Sequence, residues 1–406
     1  MTTDRPTSQL LSAPGARWLL ASSIVARLPL AMFSIALLVH TQRLTGSFAV
    51  AGLVCSAYAI CGAVSAPVLG RLVDRRGQTR VLAGGSALTA GFLICIGLLP
   101  AGTPAAGLIV LAACAGLTTP PLEGCVRTLL PNIAVRRSDL PALFALESTM
   151  LELTFVFGPP LALGLGALWS TGAALVVSGL VMIAGAAGFV LQPASRSWRP
   201  DALQTRRAAG SLQSNAIRVL IAIELGTGIV FGATEVGVTA TAQHLAAAAA
   251  AAPILGLWGL GSLLGGIVTT RIGGGAKSAP GLVALILVLA VTHGALLLGI
   301  DSLPVMGVII LLAGATIAPT ASSLYALVDR TAPAGTHTEA FSWLAAAAST
   351  GAAIGAAIAG VLAQGTGPAG VFAFAGATGL VAAAVALQHA HHLAAPEPML
   401  GEPLPT

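Results

Sequence analysis

The sequence predicts an all-α polytopic membrane protein, twelve membrane-spanning helices arranged as two pseudo-symmetric six-helix bundles. Three observations predict it. Of 406 residues only 19 are basic and 14 acidic, 8 % charged, against about 25 % in an average soluble protein. So few charges cannot coat a soluble fold of this length, which excludes soluble multidomain proteins, disordered chains and disulfide scaffolds. Apolar runs of the ~20 residues needed to cross a bilayer recur twelve times, and features of the first six runs return in the second six.

The first six runs cover 17–41, 47–69, 81–100, 105–129, 139–166 and 169–191. The longest polar stretch, 193–216, follows, and then 217–241, 250–271, 279–300, 304–327, 338–364 and 369–390. The expected organisation is a tail over 1–16, a bundle over 17–192, a central loop over 193–216, a bundle over 217–390 and a tail over 391–406. Residues 1–16 are polar and lack the apolar stretch and cleavage site of a signal peptide, so the first run is expected to stay as a helix.

Basic residues orient the spans. With the N-terminus inside, the cytoplasmic loops receive 17 of the 19, including Arg5, Arg71, Arg75, Arg76, Arg80, Arg199, Arg206, Arg207 and Lys277. Only Arg43 falls outside, and Arg27 lies within the first span. The positive-inside rule therefore places both termini in the cytoplasm. Arginine outnumbers lysine 18 to 1, the bias of a high-GC genome, and no dense basic segment suggests nucleic acid. The expected location is a bacterial plasma membrane. Cys55, Cys61, Cys95, Cys114 and Cys125 all sit in apolar runs without a CxxC pair, so they read as small buried hydrophobes, not as metal or redox centres.

The repeat is visible in particular segments. Gly62 to Arg71, closing the second span, matches Ser262 to Arg271, closing the eighth; Ala115-Gly-Leu-Thr-Thr-Pro-Pro121 in the fourth matches Ala313-Gly-Ala-Thr-Ile-Ala-Pro319 in the tenth. Parallel six-helix halves of this kind place a substrate at their interface, near the midplane.

Between spans two and three runs Gly70-Arg-Leu72-Val-Asp74-Arg75-Arg-Gly77-Gln-Thr-Arg80. It resembles the loop signature of the major facilitator superfamily, matching at Gly70, Leu72, Asp74, Arg75 and Gly77, with Gln78 and Thr79 where basic residues are usual and Arg80 beyond them. The resemblance covers nearly the whole chain and implies alternating access with a gating role for this loop. In the family Asp74's partners include the start of helix eleven, here Thr336-His-Thr-Glu339, which reads as a capping box. A plain cytoplasmic loop obeying the positive-inside rule is the alternative. A second match, Gly158-Pro159 in span five, resembles the bend motif of the efflux antiporters; the glycine permits close approach and the proline removes a helix hydrogen bond. The family's mid-membrane arginine in span four is absent, since Arg127 lies near the cytoplasmic end.

Ionisable groups inside a membrane are costly and mark function. Arg27 and Glu152 lie at matching depth and are expected to pair, either as a structural tie or as a tuned proton or substrate site. Glu147, five residues earlier, is expected to face packing or the vestibule. Glu224 and Glu235 share a face of span seven, and Glu123 with Arg127 reads as an i,i+4 lock at the cytoplasmic end. Arg27 against four glutamates leaves an acidic cavity, which suggests proton exchange with a neutral or cationic substrate. The expectation is a monomeric secondary transporter exporting small amphipathic drugs or metabolites, with substrate, protons and the lipid bilayer as partners and no cofactor beyond the proton gradient. A sugar or metabolite permease is the alternative, although intramembrane amides and aromatics are few. An enzyme would need clustered nucleophiles or acids, which the sequence lacks; a transport-dead receptor or lipid scramblase is the remaining alternative.

Overall fold

The computed structural model describes residues 16–134, 136–198, 210–276 and 278–393. Arg5, Arg199, Arg206, Arg207 and Lys277 lie outside them, with most of both expected tails and the middle of the expected central loop. Among the described residues twelve helices are long and apolar enough to cross a membrane. They are α1 (Ala16–Thr45), α2 (Phe48–Arg76), α3 (Gln78–Leu98), α4 in two pieces (α4a, Ala105–Thr118; α4b, Leu122–Ile133), α5 (Leu140–Leu168) and α6 (Thr171–Val190). The second half comprises α7 (Asn215–His244), α8 (Ala251–Arg271), α9 (Ala279–Gly294), α10a (Leu303–Gly314), α10b (Ile317–Thr331), α11 (His337–Gly365) and α12 (Gly367–Gln388). Because each span reverses direction, Arg17, Arg71, Arg80, Arg137, Arg218, Arg271 and Arg330 gather at one end of the bundle, here termed the basic end.

Both breaks fall on the repeated segment. Pro120 and Pro121 supply no N–H and drive Thr119 out of the helical region (φ −59°, ψ 115°), so α4 stops and restarts at Leu122. In α10 the break is at Ala315–Thr316, ahead of Pro319, which cannot donate to the Ala315 carbonyl. The two halves also pack alike. A Cβ on Gly116 of α4a would fall 3.0 Å from the Gly62 nitrogen of α2; a Cβ on Gly314 of α10a would fall 3.1 Å from the Ser262 nitrogen of α8. Equivalent helices therefore touch through equivalent backbone atoms.

Buried apolar side chains show how the halves meet. One cluster draws on both, with Leu20, Val73, Leu129 and Phe144 from the first and Leu220, Leu324, Tyr325 and Phe341 from the second. The other three clusters each belong to a single half. Extensive contacts between the halves join α2 and α4b to α11, and α5 to α8 and α10b. Their glycine contacts lie toward the basic end: Gly124 on Thr338 and Gly266 on Thr149. The halves are sealed there. Of the cysteines only Cys125 is buried, and Cys95 is exposed on the outer surface. The expectation of five buried thiols fails because small apolar residues in a membrane helix face lipid as readily as protein.

Candidate functional site

The seal at the basic end is built on the first turn of α11. Thr336 caps nothing with its side chain, so the expected capping box does not form. Its hydroxyl donates instead to the Pro333 carbonyl, 2.8 Å away. The free N–H groups of that turn point across the seam to α2: Thr338 N donates to Asp74 Oδ1 (3.1 Å) and Glu339 N to Asp74 Oδ2 (2.8 Å). Asp74, 2 % exposed, thus caps a helix of the other half, where the helix dipole favours a carboxylate. Glu339 in turn accepts from Ser211 N at 3.2 Å and lies 3.8 Å from Arg71 Nε.

Close approach makes this latch possible. A Cβ on Gly70 would lie 2.5 Å from Ser342 Oγ and 2.9 Å from the Thr338 carbonyl oxygen, so only glycine lets α2 reach α11. Gly77 ends α2 with φ +92°, a conformation that disfavours any side chain. Gln78 is buried and its Nε2 donates to the Cys125 carbonyl at 3.3 Å, so an amide ties α3 to α4b where the family signature usually has a base. Leu72 and Arg80 lie away from the latch on an outer groove, and Arg75 is exposed.

Beside the latch, inside the first half, sits a buried charge network. Glu147, fully buried, pairs through Oε1 with Arg27 and through Oε2 with Arg127 Nε at 3.2 Å. Arg127 also reaches Glu123 at 3.3 Å, while Arg27 Nε donates to the Ser23 carbonyl at 3.2 Å. Two arginines meet two glutamates, so the network is neutral. The Arg127 guanidinium lies 3.7 Å from the ring centroid of Tyr325, on α10b of the other half, a cation–π contact across the seam.

The expected Arg27–Glu152 pair is therefore corrected to Arg27–Glu147. The span of α5 begins at Arg137, so Glu147 lies ten residues in, as Arg27 does from Arg17. Glu152 is five residues further, about 7.5 Å deeper and ~140° round the helix. It is half-buried and lies beside Ser262 of α8. Glu123 and Arg127 do form the expected i,i+4 contact, but Arg127 is 1 % exposed and joins the interior network, which the reading of a loop-end lock misses. Glu224 is half-buried, with Thr227 Oγ1 donating to its Oε2 at 3.2 Å, and it lies within electrostatic reach of Arg127. Glu235 is exposed, one turn on from Phe231, which meets Trp258 edge-on at 5.5 Å. Gly158 is buried against α1, where a Cβ would fall 2.7 Å from that of Ala31; α5 remains helical through Pro159.

Residues 19–335 match the family model of the Major Facilitator Superfamily. The chain belongs to the major facilitator superfamily. Its fold also resembles solved members of the transporter class. Structures of a bacterial homologue of the iron transporter ferroportin in the outward-facing state, with and without soaked iron, align with TM-scores of 0.73 at 16 % and 17 % identity. Each alignment covers 92 % of this chain and 98 % of that one. The human organic anion transporter MFSD10 (TETRAN) aligns with a TM-score of 0.69 at 16 % identity, over 91 % of this chain and 99 % of the other. A comparison with curated protein sequences finds no match. As a superfamily member the chain is a multi-pass membrane transporter, sealed at its basic end.

Two roles central to this site escape a reading of the sequence: the pairing of Glu147, expected to face packing or the vestibule, and the part played by Tyr325. Counting depth from the basic end of each span finds the first, because Arg27, Arg127 and Glu147 lie within ten residues of those ends. Tyr325 offers only its rarity, as one of two tyrosines in the chain. Thr338 lies in the start of helix eleven, which the family resemblance offers to Asp74, and its backbone N–H makes that contact.

Proposed function

We propose that this superfamily member is a proton-coupled exporter of small amphipathic compounds, neutral or cationic, acting as a monomer by alternating access in a bacterial plasma membrane with its basic end in the cytoplasm. The observation that carries the reading is the division of interior charge. The network of Arg27, Arg127, Glu123 and Glu147 cancels itself. Glu152, Glu224 and Glu235 remain, and among the described residues none of them has an ion-pair partner. A lone carboxylate within a membrane protein is costly, and taking up a proton removes the charge, so these are the natural exchange sites.

Glu224 supplies a route from proton to movement. It stands on α7 while Arg127, which attracts it, belongs to the other half. Protonating Glu224 weakens one attraction that holds the seal closed. The aromatic face of Phe231 and Trp258 beside Glu235 suits an apolar body carrying a positive charge. An organic anion, transported by the human protein of similar fold, would meet three carboxyls. For iron, the ion soaked into one similar structure, no group of three or more His, Cys, Asp or Glu able to hold a metal occurs among the described residues.

The test is flux in proteoliposomes under an imposed pH gradient, with ethidium as the amphipathic cation and an internal pH dye. Wild-type protein should couple ethidium movement to proton flux; Glu152→Gln and Glu235→Gln should each abolish gradient-driven accumulation while ethidium still binds. Retained accumulation in both variants and in Glu224→Gln would place the proton site elsewhere.

A further inference from the structure

A cavity of about 510 Å³ lies on the flank of the first half between α2, α3 and α4a, and its lining shares no residue with the charge network or the Asp74 latch. Its walls are apolar: Leu69 and Leu72 from α2, Leu88 from α3 and Leu117 from α4a. Leu88 and Leu117 are 55 % and 48 % exposed, so the groove opens sideways, where hydrocarbon surrounds a membrane helix. Its floor is kept low by glycine. A Cβ on Gly84 would meet nothing within 4 Å and would project into open space, while Gly85 lets α3 lie on the α4 break, with Thr118 O only 2.9 Å from where its Cβ would be.

The mouth has a different chemistry. Arg76 ends α2 and Arg80 lies in the first turn of α3; both line the cavity and both are exposed. Neither has an acidic partner among the described residues, and no acidic side chain lines the groove. Leu88 lies eight residues along the helix from Arg80, about 12 Å toward the bilayer centre. The groove is thus two guanidiniums at headgroup depth above an apolar trough running into the acyl region. Guanidinium forks match phosphate oxygens two at a time, and basic pockets between spans attract anionic headgroups.

We propose that this groove is a binding site for one anionic glycerophospholipid of the leaflet at the basic end, its phosphate held by Arg76 and Arg80 and an acyl chain lying along Leu69, Leu88 and Leu117 over Gly84. A free phosphate would use only the mouth, and a zwitterionic lipid would bring its ammonium group beside the two guanidiniums together with its phosphate; charge and trough together select an anionic lipid.

The experiment is native mass spectrometry of the delipidated full-length protein, titrated with phosphatidylglycerol, phosphatidylcholine or glycerol 3-phosphate. Phosphatidylglycerol should bind roughly 10- to 30-fold more tightly than phosphatidylcholine, and glycerol 3-phosphate should not bind measurably. The double variant Arg76→Gln with Arg80→Gln should lose the preference between the two lipids, while Arg76→Lys with Arg80→Lys should retain most of it. Gly84→Leu, which fills the trough and leaves both arginines, should weaken phosphatidylglycerol binding about tenfold. Equal affinity for the two lipids, binding of glycerol 3-phosphate as tight as that of the lipid, or unchanged lipid binding by Gly84→Leu would each overturn the assignment.

Discussion

Removing the Glu147 carboxylate tests the charge network most directly. Glu147→Gln keeps the side-chain volume and takes away one charge, leaving Arg27 and Arg127, each 1 % exposed, facing each other. The two are stranded unequally. Arg127 keeps Glu123 at 3.3 Å and the Tyr325 ring, whereas Arg27 keeps only the Ser23 carbonyl and hydroxyl, each at 3.2 Å. Breaking a buried pair from one side costs about 3–5 kcal/mol. With a six-helix half as the cooperative unit, that lowers the detergent melting temperature by roughly 6–20 °C. The double variant Glu147→Gln with Arg27→Gln removes the stranded cation and should regain more than half of the loss. Glu152→Gln should change the melting temperature by less than about 2 °C, because Glu152 holds no cation. The reverse pattern, a stable Glu147→Gln and a destabilised Glu152→Gln, would refute the pairing.

Asp74→Asn should insert normally and impair transport, because the amide offers one neutral acceptor where the carboxylate accepts two backbone N–H groups at about 1.5–3 kcal/mol each; a wild-type transport rate in a well-expressed variant would remove the latch from the mechanism. Gly70→Val should hold the basic end open, since its Cβ would lie 2.5 Å from Ser342 Oγ, and thiol labelling of Ser342→Cys in that background should rise. Tyr325→Leu should favour opening by roughly 5- to 30-fold through loss of a ~1–2 kcal/mol cation–π contact, while Tyr325→Phe stays near wild type; labelling of the same reporter cysteine distinguishes the two.

Helices are legible here because crossing a bilayer is a property of local composition, and the repeat because its Pro and Gly positions dictate backbone breaks and close approaches wherever they stand. The breaks at Thr119–Pro121 and Ala315–Thr316 fall within segments that match 198 residues apart. Side-chain partners are less legible, since they depend on helix phase and on where each helix starts. Glu147 and Glu152 differ by five residues; judged by the midpoints of the runs 17–41 and 139–166, Glu152 matches Arg27, whereas counting from the basic ends at Arg17 and Arg137 puts Glu147 at the depth of Arg27. The i,i+4 contact of Glu123 and Arg127 satisfies a local rule, which conceals that Arg127 has two further partners beyond its own turn. The groove beside α3 could not be read at all, because its residues come from three helices and acquire meaning only from the space between them.

The distribution of these contacts explains how a seal this polar can open. Arg27, Arg127, Glu123 and Glu147 all belong to α1, α4b and α5, so the strongest electrostatic contacts lie within one half and survive separation of the halves. What crosses the seam is weaker and easily exchanged for water: two hydrogen bonds to Asp74, the 3.8 Å pair of Glu339 with the solvent-facing Arg71, a contact between the Thr128 and Thr338 hydroxyls at 3.1 Å, and the Arg127–Tyr325 stack. Each is worth about 1–3 kcal/mol at most. A seam built from the Arg27–Glu147 pair would be too costly to break in every cycle. Under the proposed coupling, a purely apolar one would offer a proton on Glu224 nothing to act on. Stored charge in one half, with light polar contacts to the other, would then let a single protonation bias the equilibrium between sealed and open.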